Sequence, residues 1–232
     1  MEERRRIDFR SRRLPWVGIS KDIRRAKSAR QALKMAELDW KVIRKPVSLY
    51  EYGSLIKGYY ANIRETDGET LGIVSGKYAL MQNEEAFSFL DELATEGVSF
   101  EMAGTFRGGR CVWIIAKFPE NYKFLGDKVD PYIIFINSHD GNGGVRTCMT
   151  PIRVTCSNMI NATISSATRL WSARHTGDVK YKLENAAATY FYANEYMKSL
   201  NQDAEKLWKV KLNDQKVDHM VKLLIPITTD MG

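Results

Sequence analysis

Three pairs of strand-like runs, each closed by a short turn that contains glycine, set the terms for this chain. Lys57–Thr66 alternates, Asp67-Gly68 supplies a type I′ turn, and Glu69–Tyr78 returns with Leu71, Ile73 and Val74. Ser99–Phe106 and Arg110–Phe118 flank an Arg-Gly-Gly turn, with Val112, Trp113, Ile114 and Ile115 reading as a buried strand. Tyr132–Ser138 and Val145–Cys156 flank His139-Asp140-Gly141-Asn142-Gly143-Gly144. Connections this short join only antiparallel neighbours. Pro151, inside the last run, marks an edge position, a bulge or a break.

Helical periodicity falls mainly before and after these strands. A basic amphipathic helix is expected from Ser20 to about Leu38, with Ile23, Ala26, Leu33 and Ala36 on one stripe. Trp40 and Val42 follow, and Pro46 disfavours further helix. Asn83 is the expected N-cap of a helix that carries Ala86, Phe87, Leu90 and Leu93 inward and ends at Gly97. Later helices are expected over 158–171, 183–208 and 215–224, with Arg174-His175-Thr176-Gly177 extended or turning between the first two. Helices gathered at the ends of a run of strands give an α+β fold, an antiparallel sheet backed by helices. Residues 1–14 read as a basic arm and 15–232 as one domain, and the abrupt stop after 225–232 predicts a further C-terminal portion.

Charge is concentrated. Residues 1–30 hold eleven basic and four acidic groups, a net +7, while the remaining 202 residues balance to zero. A segment of this kind contacts nucleic acid or another anionic surface, or serves as a solubilising tail. It is too charged for a signal peptide, and no apolar run approaches the roughly 18 residues that cross a bilayer. Three scattered Cys (Cys111, Cys148, Cys156) fit a reducing cytoplasm and give no disulfide framework.

Catalytic and metal motifs are missing from the sequence: no Walker A loop, no Gly-x-Gly-x-x-Gly, no His-Glu-x-x-His and no Cys-x-x-Cys. No metal or cofactor is expected. His139-Asp140 has the residue types of an acid/base or metal-ligand pair, but in its glycine-rich setting it reads first as a turn. Cys156, before Asn158, reads as a small core residue rather than a nucleophile. Arg153, between Ile152 and Val154, must point outward or find a partner, either forking onto a phosphate or making an internal ion pair. Arg169, Arg174 and His175 cluster around Trp171, and Arg107, Arg110 and Arg146 lie at or beside turns. Cationic turns beside aromatic rings suit a single-strand binder, with cations on phosphates and rings on bases.

Several stretches resemble one known family: Leu14-Pro15-Trp16-Val17-Gly18, Gln82-Asn83-Glu84-Glu85-Ala86-Phe87, Ser138-His139-Asp140-Gly141, Thr150-Pro151-Ile152-Arg153-Val154-Thr155-Cys156-Ser157-Asn158 and Arg174-His175-Thr176. The chain is similar, over residues 14–177, to the phage- and plasmid-borne "domain of unknown function 932" proteins. That family often carries Trp-His-Gly-Leu-Gly where this chain has Trp16-Val17-Gly18-Ile19-Ser20, which removes a candidate histidine. The resemblance implies a mobile-element setting in a bacterial cytoplasm. By analogy of fold it also implies a likeness to Rad52-like single-strand annealing proteins.

The expectation is therefore a non-enzymatic phage-type recombination protein that binds and anneals single-stranded DNA as a ring or filament of identical subunits. Its expected phosphate contacts are Arg12, Arg13, Arg24, Arg25 and Arg153, with Arg146 and Arg174 behind them. A phage exonuclease or a host single-strand-binding protein would be a further partner, and no membrane is involved. Two alternatives stand beside it. One is a nucleic-acid or nucleotide-processing enzyme centred on His139, Asp140, Arg153 and His175. The other is an anti-defence or regulatory interaction protein.

Overall fold

The computed structural model describes residues 20–119, 122–124, 127–150, 168–177 and 189–224. The chain runs β1 (Ser20–Asp22), α1 (Ala29–Met35), β2 (Val42–Ser48), β3 (Leu55–Arg64), β4 (Thr70–Ser75), α2 (Asn83–Phe87), α3 (Leu90–Thr95), β5 (Ser99–Phe106) and β6 (Cys111–Lys117). It continues through β7 (Tyr122–Phe124), β8 (Asp127–Val129), β9 (Tyr132–Ser138), β10 (Val145–Thr150), β11 (Thr168–Ala173), α4 (Thr189–Trp208) and α5 (Asp214–Leu224). Six strands form one sheet in the order β1-β5-β6-β9-β10-β11, antiparallel throughout. The strands β2-β3-β4 form a second, three-stranded sheet, and β7-β8 a small hairpin. The fold is α+β with an antiparallel sheet, as the turn spacing requires.

The central strands β6 and β9 are buried along almost their whole length, which is why Val112–Ala116 and Tyr132–Ile136 read as continuous apolar runs. Alternation still sorts their side chains. Val112, Ile114, Ile133 and Phe135 join Ala32 and Leu33 of α1, Phe87 of α2, Leu90 and Leu93 of α3, and Met197 of α4. Trp113, Ile115, Ile134 and Ile136 pack together with Met102 and Phe106 on the opposite face. Phe89 meets Phe135 edge-on at 5.3 Å, locking the α2–α3 connection to the sheet.

Several local expectations are corrected. Ser20–Asp22 is strand, not helix: it pairs with Met102–Gly104, and Ile23 N–H donates to the Glu101 carbonyl at 3.1 Å. The helix begins only where Ser28 caps it, its hydroxyl accepting from Gln31 N–H. The Asp67-Gly68 turn closes the hairpin, but only Gly68 takes positive φ (75°), so it is not type I′. Its residues instead belong to a longer loop, and the register shifts at Asn62/Ile63. The helix expected from Asn83 to Gly97 is two helices, and Gln82 rather than Asn83 is the N-cap, with Glu85 accepting from Gln82 N–H at 3.0 Å. Residues 168–171 lie in β11, not in a helix, because they complete the hydrogen bonding of β10. β2 accommodates Pro46 because it is an edge strand, where a missing N–H costs no ladder bond.

A candidate anion-binding cleft at the end of the sheet

The segment after β9 is a turn held by its own aspartate. Asp140 Oδ1 accepts from Ser138 Oγ at 2.6 Å, Asn142 N–H at 2.8 Å and Gly143 N–H at 3.3 Å, and Gly141 supplies a φ of 81°. Burial alone would raise this carboxyl, but those hydrogen bonds and Arg107, 3.4 Å from Oδ2, outweigh it and hold Asp140 below the usual carboxylate range. The expectation of a turn at His139-Asp140 is met.

The second sheet is pressed onto this turn. Asn62 of β3 donates to the His139 carbonyl at 2.8 Å, and Tyr78 O–H to the Ser138 carbonyl at 2.9 Å. Gly72 of β4 lies against the Asp140 backbone so closely that a Cβ there would come within 2.6 Å of Asp140 Cα. Burial pushes the Tyr78 phenol above its ordinary value, so it is a hydrogen-bond donor throughout the usual pH range.

His139 is wholly buried, and its Nε2 is 2.8 Å from Asn83 Oδ1. An amide oxygen only accepts, so Nε2 carries the proton and Nδ1 the lone pair. The same Asn83 oxygen accepts from Asn137 at 3.2 Å, while Asn83 Nδ2 donates to the Leu38 carbonyl at 3.0 Å. Burial, then the neighbouring His175, drives His139 down to about 3, with Asp140 opposing. His175 is 2% exposed and its ring lies 4.9 Å from that of Tyr78. Burial lowers it to about 4, against the nearby backbone of Ala79 and Ser138, yet neither ring nitrogen reaches hydrogen-bonding geometry. Both imidazoles are neutral at physiological pH.

Beside this buried network opens a cleft of about 690 Å³. Gly141, Gly143 and Gly144 line one part, Tyr78 and His175 another, and Arg146 and Arg174 supply the charge. Among the described residues none of the lining side chains is acidic. Arg146 projects from β10 on the face of Trp113 and Ile136, and its Nε is buried with no partner among the described residues. Gly144 is obligatory, because the carbonyl of Ala173 fills the space a Cβ would need. Two forked cations, a neutral imidazole and a glycine wall make a place for an anion, with the Arg planes suited to phosphate oxygens.

The structure thus unites Arg146 and Arg174 and separates them from Arg24 and Arg25. Those two follow β1, four strand spacings from β10 or roughly 19 Å across the sheet. Arg24 is clamped on Asp22, donating from Nε to both carboxylate oxygens at 3.0 Å. Arg25 is exposed. Arg12, Arg13 and Arg153 lie outside the described residues, as do Cys156 and the side chains of Arg169 and Trp171. His139, Asp140 and His175 do meet at one end of β9, but His139 Nε2 is taken by Asn83 and Asp140 by its own turn and Arg107, and of the three only His175 lines the cleft. Cys111 and Cys148 are buried. Among the described residues no three His, Cys, Asp or Glu side chains gather closely enough to hold a metal, and no helix is long and apolar enough to cross a membrane.

Tyr78 and the glycine wall were not anticipated as site residues. Tyr78 reads as the tail of a strand, and only the packing of the second sheet on the turn after β9 brings it to the cleft. A family model described as "Domain of unknown function (DUF932)" matches residues 70–231, a span that holds β4, the turn and the whole cleft. No curated protein and no solved structure matches the chain.

Proposed function

We propose that this chain, which belongs to the DUF932 family, binds single-stranded DNA and promotes the annealing of complementary strands. The observation that carries this reading is the pairing of Arg146 and Arg174 on a cleft whose lining, among the described residues, holds no acidic side chain. Arginine forks hold phosphates without reading sequence. A strand gripped by its phosphates keeps its base edges free to meet a complement. Residues 1–30, with their net +7, add long-range attraction for the same polyanion. Identical subunits arranged as a ring or filament would extend one grip into a continuous track. A phage exonuclease that delivers the strand, or a host single-strand-binding protein that yields it, would be the natural partner.

Filter binding of labelled oligonucleotides across a salt series tests the reading, followed by annealing of complementary strands. The expected result is binding that falls steeply with salt and an annealing rate above that of naked DNA. No salt-sensitive binding would overturn it.

A further inference from the structure

The outer face of the three-stranded sheet exposes aromatic and aliphatic side chains that a soluble surface ordinarily hides. Tyr50 is fully exposed, Tyr52 78% exposed, Tyr59 52% and Ile73 51%. Their placement follows from register. Lys45, Ala61 and Ile73 lie in one row across β2, β3 and β4, and Tyr59 precedes Ala61 by two residues, so all point the same way. Tyr60 and Val74 point inward, where Arg44 stacks over Tyr60 at 4.4 Å and donates to the Tyr78 carbonyl at 3.1 Å. The loop 49–54 carries Tyr50 and Tyr52 beyond the sheet, closed by Gly53 N–H to the Leu49 carbonyl at 2.8 Å.

Charge decides what covers this face. Residues 41–60 hold Lys41, Arg44, Lys45 and Lys57 against the single acid Glu51. Lys41 is 3.6 Å from Glu84, and Arg44 is committed inward, whereas Lys45 and Lys57 are exposed and make no ion pair among the described residues. Exposed rings between uncompensated cations complement a polymer that is itself aromatic and anionic. We infer that this face and its tip form a second single-strand contact, a platform on which bases stack on Tyr50 and Tyr59 while Lys45 and Lys57 meet phosphates. The inference rests on the single-strand reading of the cleft. The two surfaces are linked, because β4 ends at Ser75 and Tyr78 already stands in the cleft wall.

The test measures equilibrium binding of the full chain to an oligo-thymidine and to an abasic oligonucleotide of equal length. The variants are Tyr50→Ala with Tyr59→Ala, the same positions as Phe, and Arg146→Ala with Arg174→Ala. Both tyrosines are exposed, so their removal leaves the core intact. The platform predicts that the Ala pair weakens oligo-thymidine binding at least about 5-fold while leaving abasic binding unchanged, and that the Phe pair restores it. The arginine pair should weaken binding to both polymers. Equal binding of both polymers by wild type and the tyrosine variants overturns the platform and leaves the cleft standing. So does a tyrosine effect seen only as a change of oligomeric state in sedimentation, which would make this face a contact between copies. No salt-sensitive binding of either polymer by wild type overturns both readings together.

Discussion

Acidification should destabilise this protein well above the range where carboxylates titrate, because His139 and His175 are buried as neutral rings. The unfolded chain takes up a proton on each near the ordinary value of 6.5, whereas burial holds the folded values at about 3 and about 4. Between those limits the unfolded state binds more protons, so stability is present above pH 6.5 and falls as pH falls, until the folded values are reached. At pH 5 each ring favours unfolding by about 2 kcal/mol relative to neutral pH, and the pair by about 4 kcal/mol. That is a large share of the ~5–15 kcal/mol that holds a domain together. Asp22, Asp67 and Asp140, all held below the usual carboxylate range, lose their contribution only near or below the ordinary carboxylate value of about 4, so the window from 7 to 5 isolates the imidazoles. Urea unfolding followed by far-UV circular dichroism at half-unit pH steps should show a slope approaching two protons below pH 6, and His175→Asn should halve it. A stability flat from pH 7 to pH 5 would refute the reasoning, as would resonances of His139 and His175 in the folded protein that titrate near 6.5.

Three further perturbations probe the second sheet and the buried network beside the cleft. Gly72→Ala places a Cβ 2.6–2.8 Å from the Cα, C and O of Asp140, so the second sheet must part from the turn by about 0.8 Å to regain ordinary contact; thermal melts should show a loss of about 1–3 kcal/mol. Gly68→Ala, with open space around it but a φ of 75°, should cost only about 1 kcal/mol and leave oligonucleotide binding intact. Asn83→Ala removes the acceptor shared by His139 and Asn137 and the donor to Leu38, and denaturant titration should report about 3 kcal/mol, unlike substitution of an exposed neighbour such as Ser88.

The elements legible in the sequence were those whose cause is local. Gly68 and Gly97 both take positive φ where a turn and a helix end were expected, and Asp140 closes the turn that its residue type favours. What escaped depends on partners distant in sequence. Ser20–Asp22 sits within a helical stripe, yet β5 offers it an open edge some eighty residues later. Thr168–Trp171 fits helical spacing equally well, and pairing with β10 decides the matter. Asn83 has the composition of a cap but is drawn inside, because His139 and Asn137 arrive needing an acceptor. The candidate site was half visible for the same reason. Arg146 and Arg174 stand out as cations beside turns, but that they face one cleft, and that Arg24 and Arg25 do not, is a property of strand order.

The central claim is that the Arg146–Arg174 cleft grips a phosphate backbone, and the salt dependence of oligonucleotide affinity tests it most directly. For single strands the slope of log K against log salt changes by about 0.7 per neutralised phosphate. The Arg146→Ala, Arg174→Ala pair should therefore flatten the slope by about 1.4 while the urea midpoint stays near that of wild type. A slope and affinity unchanged from wild type would contradict the account and place any DNA contact elsewhere on the chain.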